Sequence, residues 1–308
     1  MSSRDTLETD TRVVDAPDVP REVPETEKAV ESPRGEVLDD PDRRREAAAE
    51  LRQRVEGDWE ERPFKVDRAE LGRFDLKRAR LPDMSIESAA KYIEEHRASR
   101  PWLAMTDRAS PEARRIIAAM DAAGGHAHIR HEGWVTEETN RRRVIYLEDP
   151  AQLDPEKRSQ GIDGLAQNDK PHWCAGLSTR IADPDAFATA FVCGIQRPQV
   201  QEALDRSFVP GERPDPVTVP ILDLLGTEGH RHCTGWRLET GDGNMGAARK
   251  NRASWLDARA EGREPNVPEP QASPVPTFEG GLITFVFKPN NAEKRYEVAS
   301  QYADPFEY

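Results

Sequence analysis

The apolar positions of this chain change period along its length. In SIESAAKYIEEH, Ile86, Ala89, Ala90 and Ile93 fall on one helical face behind a serine cap. A second helix is marked at both ends. Ser110 is its cap, Pro111 takes the first helical position, and Ala113, Ile116, Ile117 and Met120 form its stripe. Gly124-Gly125 ends it. A third helix follows Asp183-Pro184 with the face Phe187, Ala190 and Phe191, and a fourth is expected at PQVQEAL. The period then shortens to that of strands: VTVPILDLL (217–225), CTGWRL (233–238), LITFVFK (282–288) and RYEVAS (295–300). The last two flank PNNAE and read as an antiparallel hairpin. Helices first and strands after predict an α+β fold. Residues 241–277, which contain NVPEPQASPVP, read as an inserted flexible loop. No internal repeat is visible.

Residues 1–62 show no such periods. They hold 19 acidic against 11 basic side chains and few aromatics. A segment of that composition buries too little apolar surface to offset its ordering entropy, so a disordered acidic tail is expected. Within it PDRRREAAAELRQRVEG is suited to a transient helix. Residues 63–84 look transitional, which places the ordered domain at 85–308 and the acidic segment at 1–84.

Composition narrows the function classes. The 308 residues are 36% hydrophobic and 33% charged, with 25 prolines and a net charge of −13. Generic coating of nucleic acid needs excess Lys and Arg, so any nucleic-acid chemistry here is confined to a local site. Cys174, Cys193 and Cys233 form no CxxC pair, give no disulfide framework and fit a reducing compartment. The N-terminus, MSSRDTLETD, lacks the apolar core of a signal peptide, and no stretch is long and apolar enough to span a bilayer. A cytoplasmic protein is expected, or one exported by a specialised route.

The titratable chemistry is concentrated in GGHAHIRHEGWVTEETNRRR (124–143). Two readings of it stay open. His126, His128 and His131 can be zinc ligands, completed by His172 or by the run His230, His232, Cys233, although HExxH and paired-cysteine spacings are missing. A polar strand end is the simpler account of that second run. Alternatively the segment performs acid–base chemistry on a phosphodiester. Histidine exchanges protons near neutral pH, and arginine binds phosphate oxygens with a planar fork. His131 and Arg142, eleven residues apart, suit a strand or loop that turns back on itself. The run Arg141-Arg142-Arg143 can equally be a solvated face.

The order of short motifs resembles the bacterial RNase A-like toxin domain of contact-dependent growth inhibition and other polymorphic toxins. Gly124, Gly125, His126, His131, Gly133 and Arg142 stand at the spacings of that family's first segment. STRIADPDAFATA (178–190) is similar to its second, and YEVASQYADP after LITFVFK is similar to its closing strands. The resemblance runs with gaps over residues 110–305. It implies an RNase A-like fold, N-terminal helices followed by a curved antiparallel sheet, and a metal-independent ribonuclease, with no cofactor, that cleaves RNA to a 2′,3′-cyclic phosphate. On that match His131 is the general base, Arg142 the phosphate cation, and Ser300 and Tyr302 donate hydrogen bonds to phosphate. Tyr302 is alternatively the acid for the leaving 5′-oxygen. His128 and Trp134 are the candidate substrate-binding residues; Trp134 and Tyr146 are each suited either to stack a base or to fill the core. His126 is expected to be structural at the turn, and KPHWCAG (170–176) to line the cleft. Ser300 stands where the family has threonine, and two residues separate Tyr302 from Pro305. Insertions near 144–172 and 241–277 interrupt the match. RNA, tRNA included, and a cognate immunity protein are the partners so implied. Two rivals remain: a catalytically inactive binding protein on an RNase-like fold, and a zinc-dependent hydrolase that uses the His and Cys runs.

Overall fold

The computed structural model describes residues 68–148 and 174–305. The expected acidic tail, the transient helix within it, and most of the 144–172 insertion, with His172, lie outside the described residues. The described chain contains helices α1 (Arg68–Arg73), α2 (Ile86–His96), α3 (Pro111–Ala122), α4 (Ala127–Arg130) and α5 (Glu137–Tyr146). Strand β1 (Leu177–Ile181) then leads to α6 (Pro184–Ile195), α7 (Pro198–Asp205), β2 (Val217–Pro220), α8 (Ile221–Leu225) and β3 (Cys233–Leu238). Helix α9 (Met245–Ala260) and strands β4 (Ala272–Pro274), β5 (Leu282–Asn290) and β6 (Arg295–Asp304) complete it. The class is α+β, with helices followed by two small antiparallel sheets.

The strands form two three-stranded sheets, ordered β1-β3-β4 and β2-β5-β6, rather than one. They are joined through Thr179 of β1, whose hydroxyl donates to the Ala303 carbonyl of β6 at 2.5 Å. The main core lies on one face of the second sheet. Ile283, Phe285 and Phe287 alternate along β5 toward Phe187 and Phe191 of α6, all buried. Gly194 permits that contact, because a Cβ there would meet the Phe285 ring at 1.9 Å.

Folded structure begins upstream of Ser85. Leu71, Phe74, Leu76 and Ala79 belong to the main core. Arg115 of α3 secures them, its buried guanidinium donating to the carbonyls of Leu71 at 2.9 Å and Phe74 at 2.8 Å. Helix α2 has the expected cap, in which Ser85 and Ser88 bond each other's backbone amides. Only Ala89 and Ile93 of its stripe are buried, however; Ile86 and Ala90 face solvent. The α3 stripe is fully buried and Ser110 caps the helix.

Two sequence expectations change. The strand at 217–225 stops at Pro220, which has no N–H with which to continue a ladder. Ile221, Leu222, Leu224 and Leu225 bury as one helical face in α8. The 241–277 insertion is ordered and carries α9, capped by Asn244. Arg252 fixes that helix, donating to Val144 O and Cys174 O at 2.6 Å each. Among the described residues, no helix is long and apolar enough to cross a membrane.

Candidate functional site

The histidine segment is held from three sides. Gly124 leaves α3 at φ 68°, a conformation that favours glycine. The His126 N–H then donates to Ala299 O at 3.2 Å, and the His131 carbonyl accepts from the Ile181 amide of β1 at 2.9 Å. Gly133 lets the chain pass the end of β1, since a Cβ there would lie 2.4 Å from Ala182 O.

His131 is 8% exposed. Its Nδ1 is 3.0 Å from the Thr179 carbonyl. A carbonyl only accepts, so Nδ1 carries the proton and Nε2 keeps its lone pair, the tautomer a general base requires. The ring packs against Tyr302, centroids 5.3 Å apart. Burial, then the charge of Arg143, pulls the imidazole well below its ordinary value, against the Thr179 hydrogen bond. It is therefore neutral at physiological pH.

Tyr302 and Ser300 lie two apart on β6 and share a sheet face. Their cross-strand partners on β5 are Thr284 and Val286. A bulge between Val286 and Phe287 makes Ala299 the extra residue, beside Ser300, and its carbonyl is the one His126 takes. Ser300 Oγ and Thr284 Oγ1 are buried without a hydrogen-bond partner. Such orphaned hydroxyls cost stability, so each calls for an explanation.

The arginine nearest in effect is Arg143. Its Nη1 lies 3.4 Å from Arg130 O and 3.5 Å from Ser178 Oγ, which in turn donates to Asn140 Oδ1 at 2.7 Å. Arg142 precedes it by about 100° around α5. Its Nε donates to Glu148 at 2.8 Å, a second bond joins its Nη2 to the same carboxylate, and its guanidinium covers the Tyr146 ring. The structure thus packs His131 against Tyr302, puts Ser300 on the same strand face as Tyr302, and lets the Arg143 charge act on the imidazole, while Arg142 bonds Glu148. The expectation of a strand or loop at 131–142 missed this, because on a helix adjacent residues point in different directions.

His128 does not join them. It is 1% exposed, and its Nε2 is 2.8 Å from Asp121 Oδ1. Asp121 also accepts from Tyr92 at 2.8 Å, Arg100 at 2.5 Å and Trp102 at 2.8 Å. Burial alone would raise the Asp121 carboxyl, but the His128, Trp102 and Arg100 bonds together hold it well below the ordinary range. His128 is buried within the Asp121 cluster. Trp134 is half-buried. Tyr146 is half-buried against Trp255.

Sequence reasoning missed Thr284, Asn140 and Glu132. Glu132 is 1% exposed with Oε1 unpartnered, and burial pushes its carboxyl up to about 8. A strand alternation around Phe285 flags Thr284; nothing in the sequence flags the other two. His230 Nδ1 bonds Thr227 O at 2.9 Å, and burial pushes the Cys233 thiol up to about 12. Among the described residues, no three His, Cys, Asp or Glu side chains converge as metal ligands. Compared with known families, curated proteins and solved structures, the chain shows no significant match to any.

Proposed function

We propose that the chain is a metal-independent ribonuclease whose reacting groups are His131, Arg143, Ser300 and Tyr302. The observation that carries this reading is the His131 tautomer: Nδ1 pinned by Thr179, Nε2 left as base, opposite two hydroxyl-bearing residues of one strand face. His131 Nε2 takes the proton of a ribose 2′-OH. The 2′-oxygen attacks the adjacent phosphorus, the bond to the 5′-oxygen breaks, and that oxygen leaves with a proton from Tyr302. A 2′,3′-cyclic phosphate results. Ser300 donates to a phosphoryl oxygen, and Arg143 stabilises the charge that builds there. Arg143 replaces Arg142 in this role because its charge acts on His131 while Arg142 is bound to Glu148. The RNase A-like toxin resemblance supports the same reaction and implies a cognate immunity protein that covers this face.

The test is cleavage of tRNA and mRNA in EDTA by wild type and by His131→Ala, Arg143→Ala and Arg142→Ala. The proposal expects cyclic-phosphate ends from wild type, loss in the first two variants and substantial activity in the third. No cutting by folded wild type, or cutting that survives His131→Ala, contradicts it. The depressed His131 value adds a pH signature: the acid limb of kcat/KM lies below pH ~6.5, the ordinary histidine value.

A further inference from the structure

A row of aromatic and guanidinium groups on α5 and α9 takes no part in the proposed chemistry. Arg142 Cζ lies 5.1 Å over the centroid of the Tyr146 ring. Tyr146 and Trp255 are tilted by 38° with centroids 5.9 Å apart. Arg259 Cζ lies 5.7 Å over Trp255. Glu148 binds Arg142, and Glu269 accepts the Tyr146 hydroxyl at 2.6 Å, so the polar ends are fixed while both rings stay half-exposed.

Helix α9 supplies half of this row and a charge that is unusual in this chain. It carries Arg249, Lys250, Arg252 and Arg259 against Asp257 alone, whereas the whole chain has a net charge of −13. Arg252 is used internally, to fix α9 to α5. Arg249, Lys250 and Arg259 are exposed. The other half of the row belongs to α5, the helix that also carries Arg143. Tyr146 is three residues beyond Arg143, about 5 Å along the helix axis. The row and the proposed phosphate cation are thus carried by the same helix, within one turn of each other.

We infer that the Tyr146–Trp255 row is a single-stranded RNA subsite, in which bases stack on the two rings, Arg259 holds a flanking phosphate, and Arg249 and Lys250, elsewhere on the exposed surface of α9, attract the strand. This rests on the ribonuclease reading and adds a binding surface to it. Bases stack on aromatic rings and guanidinium planes without regard to sequence. Local cations offset the repulsion between RNA and an acidic protein. The insertion at 241–277, which builds α9, then serves to hold substrate.

The test measures affinity for a labelled single-stranded oligoribonucleotide, with His131→Ala present in every protein to prevent cutting. Arg249→Ala/Lys250→Ala changes exposed residues only. It is expected to lower the slope of log affinity against log salt by about 1.4, or about 0.7 per cation lost. Trp255→Ala is expected to weaken binding at least about fivefold, and Trp255→Phe to restore most of it. Polyglutamate, a polyanion without bases, should compete poorly. Unchanged affinity and salt slope in the folded double variant would overturn the inference, as would equal competition by polyglutamate. Cleavage of a dinucleotide, too short to reach α9, separates the two proposals. If folded wild type cuts neither the dinucleotide nor tRNA in EDTA but oligonucleotide binding still depends on α9, the nuclease reading falls and the RNA surface stands. If it is cut and binding ignores α9, the reverse holds.

Discussion

Two buried polar clusters, three residues apart in the chain, are built on opposite plans. Around His128 one carboxylate collects the donors: Asp121 accepts from His128, Tyr92, Arg100 and Trp102, while His128 Nδ1 is buried without a partner. Around His131 the imidazole is pinned through one nitrogen only, and the hydroxyls of Ser300 and Thr284 are buried with nothing to bond. Four donors closed on one carboxylate stabilise one arrangement of the core. An unsatisfied cluster costs stability and persists where a ligand supplies the missing partners. Two histidines that look alike in the sequence thus have different surroundings: one ties helices together through Asp121, and the other is the base of the proposed reaction.

The comparison is broken most forcefully at Asp121. Asp121→Ala removes the shared acceptor and leaves the Arg100 charge and the His128 ring without their partner. A loss of about 3–5 kcal/mol is expected in denaturant unfolding. Glu132→Gln works in the opposite direction. Its carboxyl is raised to about 8 in the fold, so the folded state holds a proton that the unfolded state releases above its ordinary value. Stability due to this group is therefore fully present below pH ~4.5 and is lost as pH rises toward ~8. The glutamine variant should be more stable by up to about 3 kcal/mol at pH 7, with no gain below pH ~4.5. Unfolding curves at several pH values check both sign and window.

His128→Ala should cost about 1–2 kcal/mol, because Asp121 loses one of four donors, and should leave RNA cleavage near wild type. Ser300→Ala sharpens the contrast from the other side. Removing a hydroxyl that has no partner should change stability by less than about 0.5 kcal/mol, while cleavage falls about tenfold or more. A large fall in stability without a fall in cleavage would make Ser300 an ordinary core residue.

What the sequence made legible follows from how each element is specified. Helix α3 has a serine cap, a proline at its start, an unbroken apolar stripe and a glycine stop, and it forms between those marks. The β5–β6 hairpin is equally explicit, because alternate residues are apolar and the turn is polar. Helix α9 was not legible. Its buried face includes Arg252, a charge where the pattern calls for an apolar residue, and that arginine is satisfied by carbonyls far away in the chain. The site was legible in part. His131, Ser300 and Tyr302 come together, but the spacing that singled out Arg142 does not record helical direction, and α5 presents Arg143 instead. Satisfaction is the other property a sequence cannot display. His128 and His131 differ by what surrounds them, and those partners come from Asp121, Thr179 and Tyr302, up to 171 positions away (302 − 131).

The most direct test sets the two histidines side by side. Wild type, His128→Ala and His131→Ala, each shown to be folded, are given the same RNA in EDTA, and the rate of cyclic-phosphate formation is measured. The account predicts a loss of about 10²–10⁴ for His131→Ala and little change for His128→Ala. Equal rates for all three, or a loss confined to His128→Ala, would contradict it.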